Sequence, residues 1–391
     1  MIDLERVRAE TPGVSEVAHF NNAGAALMPR PVLDAVIGHL ELESRIGGYE
    51  AAEREVDRVE HTYDAIATLL NCRREEIALM ESATRAWDMA FYSIPFAPGD
   101  RILTAMSEYN SNYIAFLEVT RKTGAEVVPV PDDEFGQLDV DALASMIDER
   151  TGLIAVTHVP TNGGLVNPAA AIGRVAREAG VPFLLDACQS VGQMPVDVRA
   201  IGCTMLSATS RKFLRGPRGV GFLYVDLDYA RELEPVFLDG RAADWVAPDR
   251  YELRPDARRF EEWESSVANR IGLGVAVDYA LEVGVAEGYA RIRALASELR
   301  AGLGGLPAVT VVDQGRERCG IVTFVVDGVA PAEVKAKLRA QRVNVNTIDP
   351  SNTLLDSAAR GLGEIVRSSV HYYNSEDEVA RLIDRVADLT R

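Results

Sequence analysis

The chain of 391 residues contains no uninterrupted apolar run approaching the roughly 20 residues that span a bilayer. Its first residues, Met1 to Arg8, lack the apolar core of a secretory signal, so the expectation is a cytoplasmic protein without a membrane partner. Basic side chains are in deficit, 41 against 59 acidic ones, and the net charge of -18 argues against binding nucleic acid or an anionic surface. The four cysteines, Cys72, Cys188, Cys203 and Cys319, do not pair at metal-ligand or redox spacing, and the five histidines are dispersed. No metal is expected, and reduced, packed thiols are the default. Repeats and low-complexity segments are absent. Gly216-Pro217-Arg218-Gly219-Val220-Gly221 resembles a dinucleotide motif but precedes a strand instead of joining a strand to a helix, which rejects that reading. A turn that brings backbone close to a ligand suits it better.

What is present is alternation. Short apolar runs at 76–80, 101–105, 125–130, 153–156, 183–185, 205–206 and 220–225 are separated by amphipathic stretches, among them 84–92, 113–120, 140–148 and 169–179. Seven such runs predict an α/β fold with a mainly parallel sheet covered on both faces. After Val225 the period turns helical through 271–283 and 289–303, followed by strand-like pieces at 309–312 and 321–326. This predicts an N-terminal arm over 1–18, a large domain over 19–284 and a smaller C-terminal α/β domain over 285–391.

The chemistry concentrates at the ends of these runs. Lys212 lies at the end of an apolar strand and before a glycine-rich turn, while Val181 to Leu185 delivers Asp186, with Gln189 three residues on. Taken singly these are a surface lysine, a helix cap and a solvated amide. Together they form the pattern of a pyridoxal 5'-phosphate (PLP) site: an amine for a Schiff base, a carboxylate to keep the pyridine nitrogen protonated, and a donor near the ring oxygen. Ser82-Ala83-Thr84 follows a strand and opens a helix, a context that serves either an ordinary cap or a phosphate.

On Asp186, Gln189, Lys212, the Phe20-Asn21-Asn22-Ala23-Gly24 start and the Arg367 to Asn374 end, nearly the whole chain resembles the class V aminotransferases. These are fold type I PLP enzymes that include cysteine desulfurases, selenocysteine lyases, isopenicillin N epimerase and hercynylcysteine sulfoxide lyase. The resemblance implies a homodimer in which Lys212 carries the cofactor, Asp186 pairs with the pyridinium and Gln189 contacts the phenolate oxygen. It places the phosphate on Ser82, Ala83 and Thr84 with Thr209, and sets Tyr109 over the ring where desulfurases usually carry histidine. Arg211, which also departs from a histidine, is either a further phosphate contact or a solvated arginine. Arg367 is matched to the arginine that grips the substrate carboxylate, and the Ser368 to Tyr373 run that follows it is expected to form a buried strand. Asn22, Ala23, Tyr49, Thr161 and Asn162 are expected at the substrate pocket. Ile46-Gly47-Gly48-Tyr49, Glu108-Tyr109 and Ser210-Arg211-Lys212 look most like the sulfoxide lyase branch.

Desulfurases pass sulfur to a cysteine in the loop before the carboxylate-binding arginine, and Ile348 to Gly363 has none. The implied activity is therefore a C–S β-lyase on a cysteine-derived amino acid or its sulfoxide, with Lys212 as base, passing through aldimine, quinonoid and aminoacrylate. The alternatives are an aminotransferase or epimerase of the same family. Retention of the cofactor residues speaks against a non-catalytic partner protein.

Overall fold

The computed structural model describes residues 2–389. Its main sheet has seven strands: β1 (Ile77–Met80), β2 (Arg101–Ala105), β3 (Glu126–Val130), β4 (Thr151–Thr157), β5 (Phe183–Asp186), β6 (Met205–Thr209) and β7 (Gly221–Val225). Their order is β1-β7-β6-β5-β4-β2-β3, and only β7 runs against the rest. The central strands are buried along their length because alternate side chains feed two different cores. Ile154, Val156 and Leu185 face one apolar cluster, and Leu153, Ala155 and Leu184 face another built on Trp87, Phe91 and Phe116. The seven predicted runs appear as these strands, each within a few residues of its expected limits.

Helices flank the sheet: α1 (Arg30–Ile46), α2 (Val56–Leu70), α3 (Ala83–Phe91), α4 (Asn110–Thr123), α5 (Ala169–Ala179), α6 (Val267–Val283) and α7 (Val285–Gly304). Beyond α7, strands β8 (Val309–Val311), β9 (Ile321–Val326), β10 (Asn346–Ile348) and β11 (Ile365–Ser369) form an antiparallel sheet in the order β8-β9-β11-β10. The first apolar cluster continues from the large sheet into Ile321, Val322, Phe324 and Val366, so the two sheets are welded through shared core. The strand predicted at the end of the chain stops at Ser369. His371 to Asn374 are buried as a turn, with the His371 ring 5.0 Å from Tyr373 and 5.5 Å from Phe213. No helix among the described residues is long and apolar enough to cross a membrane.

One buried ion network ties the 234–263 segment to this frame. Glu261, 1% exposed, accepts from Tyr63 Oη at 2.6 Å and the Leu79 amide at 2.9 Å, and pairs with Arg241 at 2.9 Å. Removing it leaves Arg241 and Arg270 without a counter-charge and Tyr63 without an acceptor. Glu261→Ala should therefore cost about 3–5 kcal/mol in urea unfolding followed by fluorescence, and Glu261→Gln appreciably less.

Candidate active site

All strands of the large sheet except β7 point their carboxyl ends to one edge, where open α/β sheets take their ligands. At that edge a cavity is lined by Ser82, Ala83, Thr84, Tyr109, Asp186, Gln189, Thr209, Arg211 and Lys212, together with Glu81, Trp87, Asn112, Thr157, Thr161 and Cys188. The nine cofactor residues expected from the sequence are thus brought to one place.

Each position follows from local structure. Ser82 caps α3 by accepting from the Arg85 amide at 3.1 Å, so the ordinary cap and the open helix N-terminus are the same turn. Gly221 at the start of β7 makes room for it, since a Cβ there would stand 3.0 Å from the Ala83 nitrogen and 2.6 Å from the Ala208 oxygen. Asp186 ends β5 in register with Thr157 and Ser207. Its Oδ1 accepts from the Cys188 amide at 2.9 Å and its Oδ2 from Asn112 Nδ2 at 3.0 Å. Gln189 donates through Nε2 to the Ala23 oxygen at 3.1 Å, and its Oε1 has no partner.

The Lys212 amine is buried, which lowers its pKa, while Cys188 and Asp186 act in the other direction. The chain has only four lysines. Lys122 and Lys337 sit in helical ion pairs with Glu118 and Glu333, and Lys335 donates to Asn346 at 2.6 Å. Cys188 is the one cysteine lining the cavity, and burial raises its pKa well above the ordinary thiol value.

Arg367 reaches the site from β11 of the smaller sheet. It is 4% exposed and donates from Nη1 to Thr161 Oγ1 at 2.5 Å. Its Nε has no partner, and no carboxylate lies within ion-pair distance of it among the described residues. Burial lowers its pKa to about 10, with Tyr109 opposing that shift and Arg211 adding to it.

The remaining expected substrate residues divide. Thr161 lines the cavity, and Asn162 stands beside it in a smaller one, with Nδ2 3.3 Å from Ser357 Oγ and Oδ1 unpartnered. Asn22 is spent on structure. Its Nδ2 donates to the Ser369 and His19 oxygens at 2.7 and 3.2 Å, and its Oδ1 accepts from Tyr373. Ala23 contributes its carbonyl to Gln189. Tyr49, 79% exposed in the helix Gly48–Arg54, is not brought to the cavity. The Arg211 guanidinium lines the cavity and donates to the Gly24 oxygen, so one of its donors is committed to the 21–26 turn rather than to an anion. Trp87, whose buried Nε1 also lacks a partner, and Asn112 and Thr157 were not singled out from the sequence. The four-residue step from Glu108 to Asn112, which puts both on one face where α4 begins, is the signal for Asn112.

These features fit PLP: a buried amine, a carboxylate fixed by two donors, a helix N-terminus with free N–H groups, and unpartnered atoms on Gln189 and Trp87 around the same space. The comparisons agree. A probable cysteine desulfurase of Methanothermobacter thermautotrophicus is 28% identical over 98% of both chains. The apo structure of a cysteine desulfurase from Thermococcus onnurineus NA1 superposes with a TM-score of 0.92 at 26% identity, covering 100% of this chain and 98% of that one. The cystine C-S lyase C-DES, solved with its reaction product cysteine persulfide, superposes with a TM-score of 0.87 at 25% identity over 97% of this chain and 99% of its own. A C-DES variant, matched at a TM-score of 0.88 and 25% identity over 97% of this chain and 99% of its own, holds glycine covalently linked to PLP. The family profile described as Aminotransferase class-V matches residues 18–382, and the chain belongs to that family of PLP enzymes.

Proposed function

We propose that the chain is a PLP-dependent C–S β-lyase acting on a cysteine-derived amino acid, an S-substituted cysteine or its sulfoxide. The observation that carries this reading is that the buried Lys212 amine and the Asp186 carboxylate line one cavity, while the Arg367 guanidinium, buried without a counter-charge, holds Thr161 in its wall and lies near enough to act on Lys212.

In this reading Arg367 and Thr161 bind the substrate carboxylate and orient the Cα–H bond, while Asp186 holds a proton at the pyridine nitrogen. Ser82, Ala83, Thr84 and Thr209 would hold the phosphate, and Gln189 and Tyr109 would hold the ring. When bound, the cofactor supplies the electron sink that takes up the pair left at Cα. Lys212 Nζ takes the proton from Cα as general base. The Cβ–S bond then breaks with its electron pair leaving on sulfur, and hydrolysis of the remaining three-carbon enamine gives pyruvate and ammonia.

Relatives named cysteine desulfurases make a persulfide-relay enzyme the rival reading. The segment before Arg367 supports direct elimination instead: it forms the short helix α8 (Leu354–Ala359) and has no cysteine. Cys188, the one thiol at the cavity, is kept protonated by burial. The same reading makes the active form a homodimer. Trp245 at 81%, Trp263 at 62% and Phe237 at 55% exposure lie on the segment that Arg85 ties to α3, and a second copy would cover them.

The purified protein loaded with PLP, offered a panel of S-substituted cysteines and their sulfoxides, is expected to release pyruvate in stoichiometry with the sulfur product. No keto acid acceptor should be needed. Amino transfer only in the presence of a keto acid, or racemisation without release of sulfur, would replace the lyase reading by an aminotransferase or epimerase.

A further inference from the structure

A second buried carboxylate stands behind Asp186. Glu108 is 3% exposed and lies in the turn between β2 and α4. Its Oε1 accepts from the Tyr109 amide at 3.0 Å, from Asn112 Nδ2 at 2.8 Å and from the Thr157 hydroxyl. Its Oε2 accepts from the Thr157 amide at 2.8 Å and the Thr104 hydroxyl at 3.2 Å. Two of these donors are backbone N–H groups, which cannot accept, and a third, the Asn112 amide, is held in its donating orientation because the same nitrogen faces Asp186. A carboxylate that only accepts satisfies them all. The Asn112 nitrogen that donates to Glu108 also donates to Asp186 Oδ2 at 3.0 Å, so a single amide bridges the two acids. One buried side chain thus holds Asp186, through Asn112, and the backbone of Tyr109 directly.

We propose that Glu108 is a positioning residue for the cofactor: a second-layer anion that, through Asn112 and the Tyr109 backbone, fixes the carboxylate and the ring facing the cofactor and adds to the negative potential behind the pyridine nitrogen. This rests on the assignment of Asp186 and Lys212 to the cofactor. Other groups on that side do not supply the same field. His158, after β4, is held neutral by burial, with a pKa near 4, and Cys188, after β5, is held neutral in the opposite sense. Lys212, after β6, is the cation that acts on Asp186, and Arg211, after β6, and Arg367, on β11, lie near Lys212. Burial, with the Asp186 charge adding to it, raises the pKa of Glu108 to about 7 against the hydrogen bonds from Thr157 and Asn112, so the anion is fully present only above that pH.

The test uses the PLP-loaded enzyme and reads the pH titration of its visible absorbance, its visible circular dichroism and its affinity for PLP. In Glu108→Gln the shape is kept, but an N–H is turned toward at least one of the three obligate donors and the charge is lost. The titration midpoint should fall by about one pH unit, a tenfold shift, because the protonated form of the bound cofactor loses a nearby anion. PLP affinity should weaken about tenfold, and the dichroism should diminish as Tyr109 and Asp186 loosen. Asn112→Ala, which cuts the link and keeps the anion, should reproduce part of the change. The double variant should fall short of the sum of the two, since both act through one chain of contacts.

A folded, loaded Glu108→Gln protein with the parent midpoint and dichroism, or strict additivity in the double variant, overturns the proposal. If Glu108→Gln does not fold, Asn112→Ala decides alone, and an unchanged midpoint overturns it. A parent protein with no visible absorbance after addition of PLP overturns the cofactor assignment instead, so the two failures are distinguishable.

Discussion

Lys212→Ala is expected to lower turnover by at least about a thousandfold and to abolish the adduct that borohydride traps between the parent protein and PLP. Two roles are lost together. The amine is the only one of four that is buried in the cavity, and the other three lysines are engaged elsewhere. Burial lowers its pKa, so a larger share of it is unprotonated and nucleophilic near neutral pH than for a solvated lysine. The same nitrogen is the base placed to take the substrate proton, and a positioned base alone is worth roughly a hundred- to ten-thousandfold. Reversible PLP binding should survive in the variant, because Asp186, Gln189 and the α3 N-terminus are untouched. Mass spectrometry of the borohydride-reduced parent should find the adduct on the peptide containing Lys212. An adduct on Lys122, Lys335 or Lys337 instead, or a Lys212→Ala enzyme that turns over at the parent rate, would remove Lys212 from the mechanism.

What the sequence shows of the fold and what it hides have different physical origins. Six of the seven strands of the large sheet were legible because both faces are covered, so each reads as a continuous apolar run, whereas the edge strand β3 is buried only at Val130 and was legible from its valines alone. Helix α1 was not, since its buried face consists of Val32, His39 and Leu42, too few apolar residues to mark a stripe. The hairpin of Ala243–Ala247 and Arg250–Leu253 was hidden for the opposite reason: it exposes Trp245 and Tyr251, so nothing alternates between core and solvent. In the Ser368 to Tyr373 run burial was read correctly but its cause was not, because ring stacking of His371 and Tyr373 in a turn replaces a strand ladder.

The site divides in the same way. Asp186, Thr209 and Lys212 announce themselves as chemical side chains at the ends of apolar strands, where a solvated interpretation is strained. Glu108, Asn112 and Thr157 contact one another across segments that are 45 and 49 residues apart, and their importance lies in hydrogen bonds that no local pattern encodes. Tyr49 was drawn into the pocket by a short glycine-rich match alone, and in a single chain it stands in solvent.

Arg367→Gln is expected to lower kcat/KM for the amino acid substrate by about a hundred- to ten-thousandfold, mostly through KM, with the protein at least as resistant to unfolding as the parent. A guanidinium that is 4% exposed, with Nε unpartnered and no carboxylate in reach among the described residues, is costly to keep charged. Burial lowers its pKa only to about 10, so at neutral pH the charge persists and waits for an anion. The substrate carboxylate supplies it, in the two-pronged geometry that arginine offers and glutamine does not. Breaking such a pair on one side costs roughly 3–5 kcal/mol, which is the source of the expected range. The sign of the stability effect follows from the same imbalance, because the unliganded variant no longer buries an unpaired cation. The decisive measurement compares each substrate with its decarboxylated analogue. The parent should favour the carboxylated form by a margin that collapses in the variant, whereas a variant that keeps the full preference would show that the carboxylate is bound elsewhere.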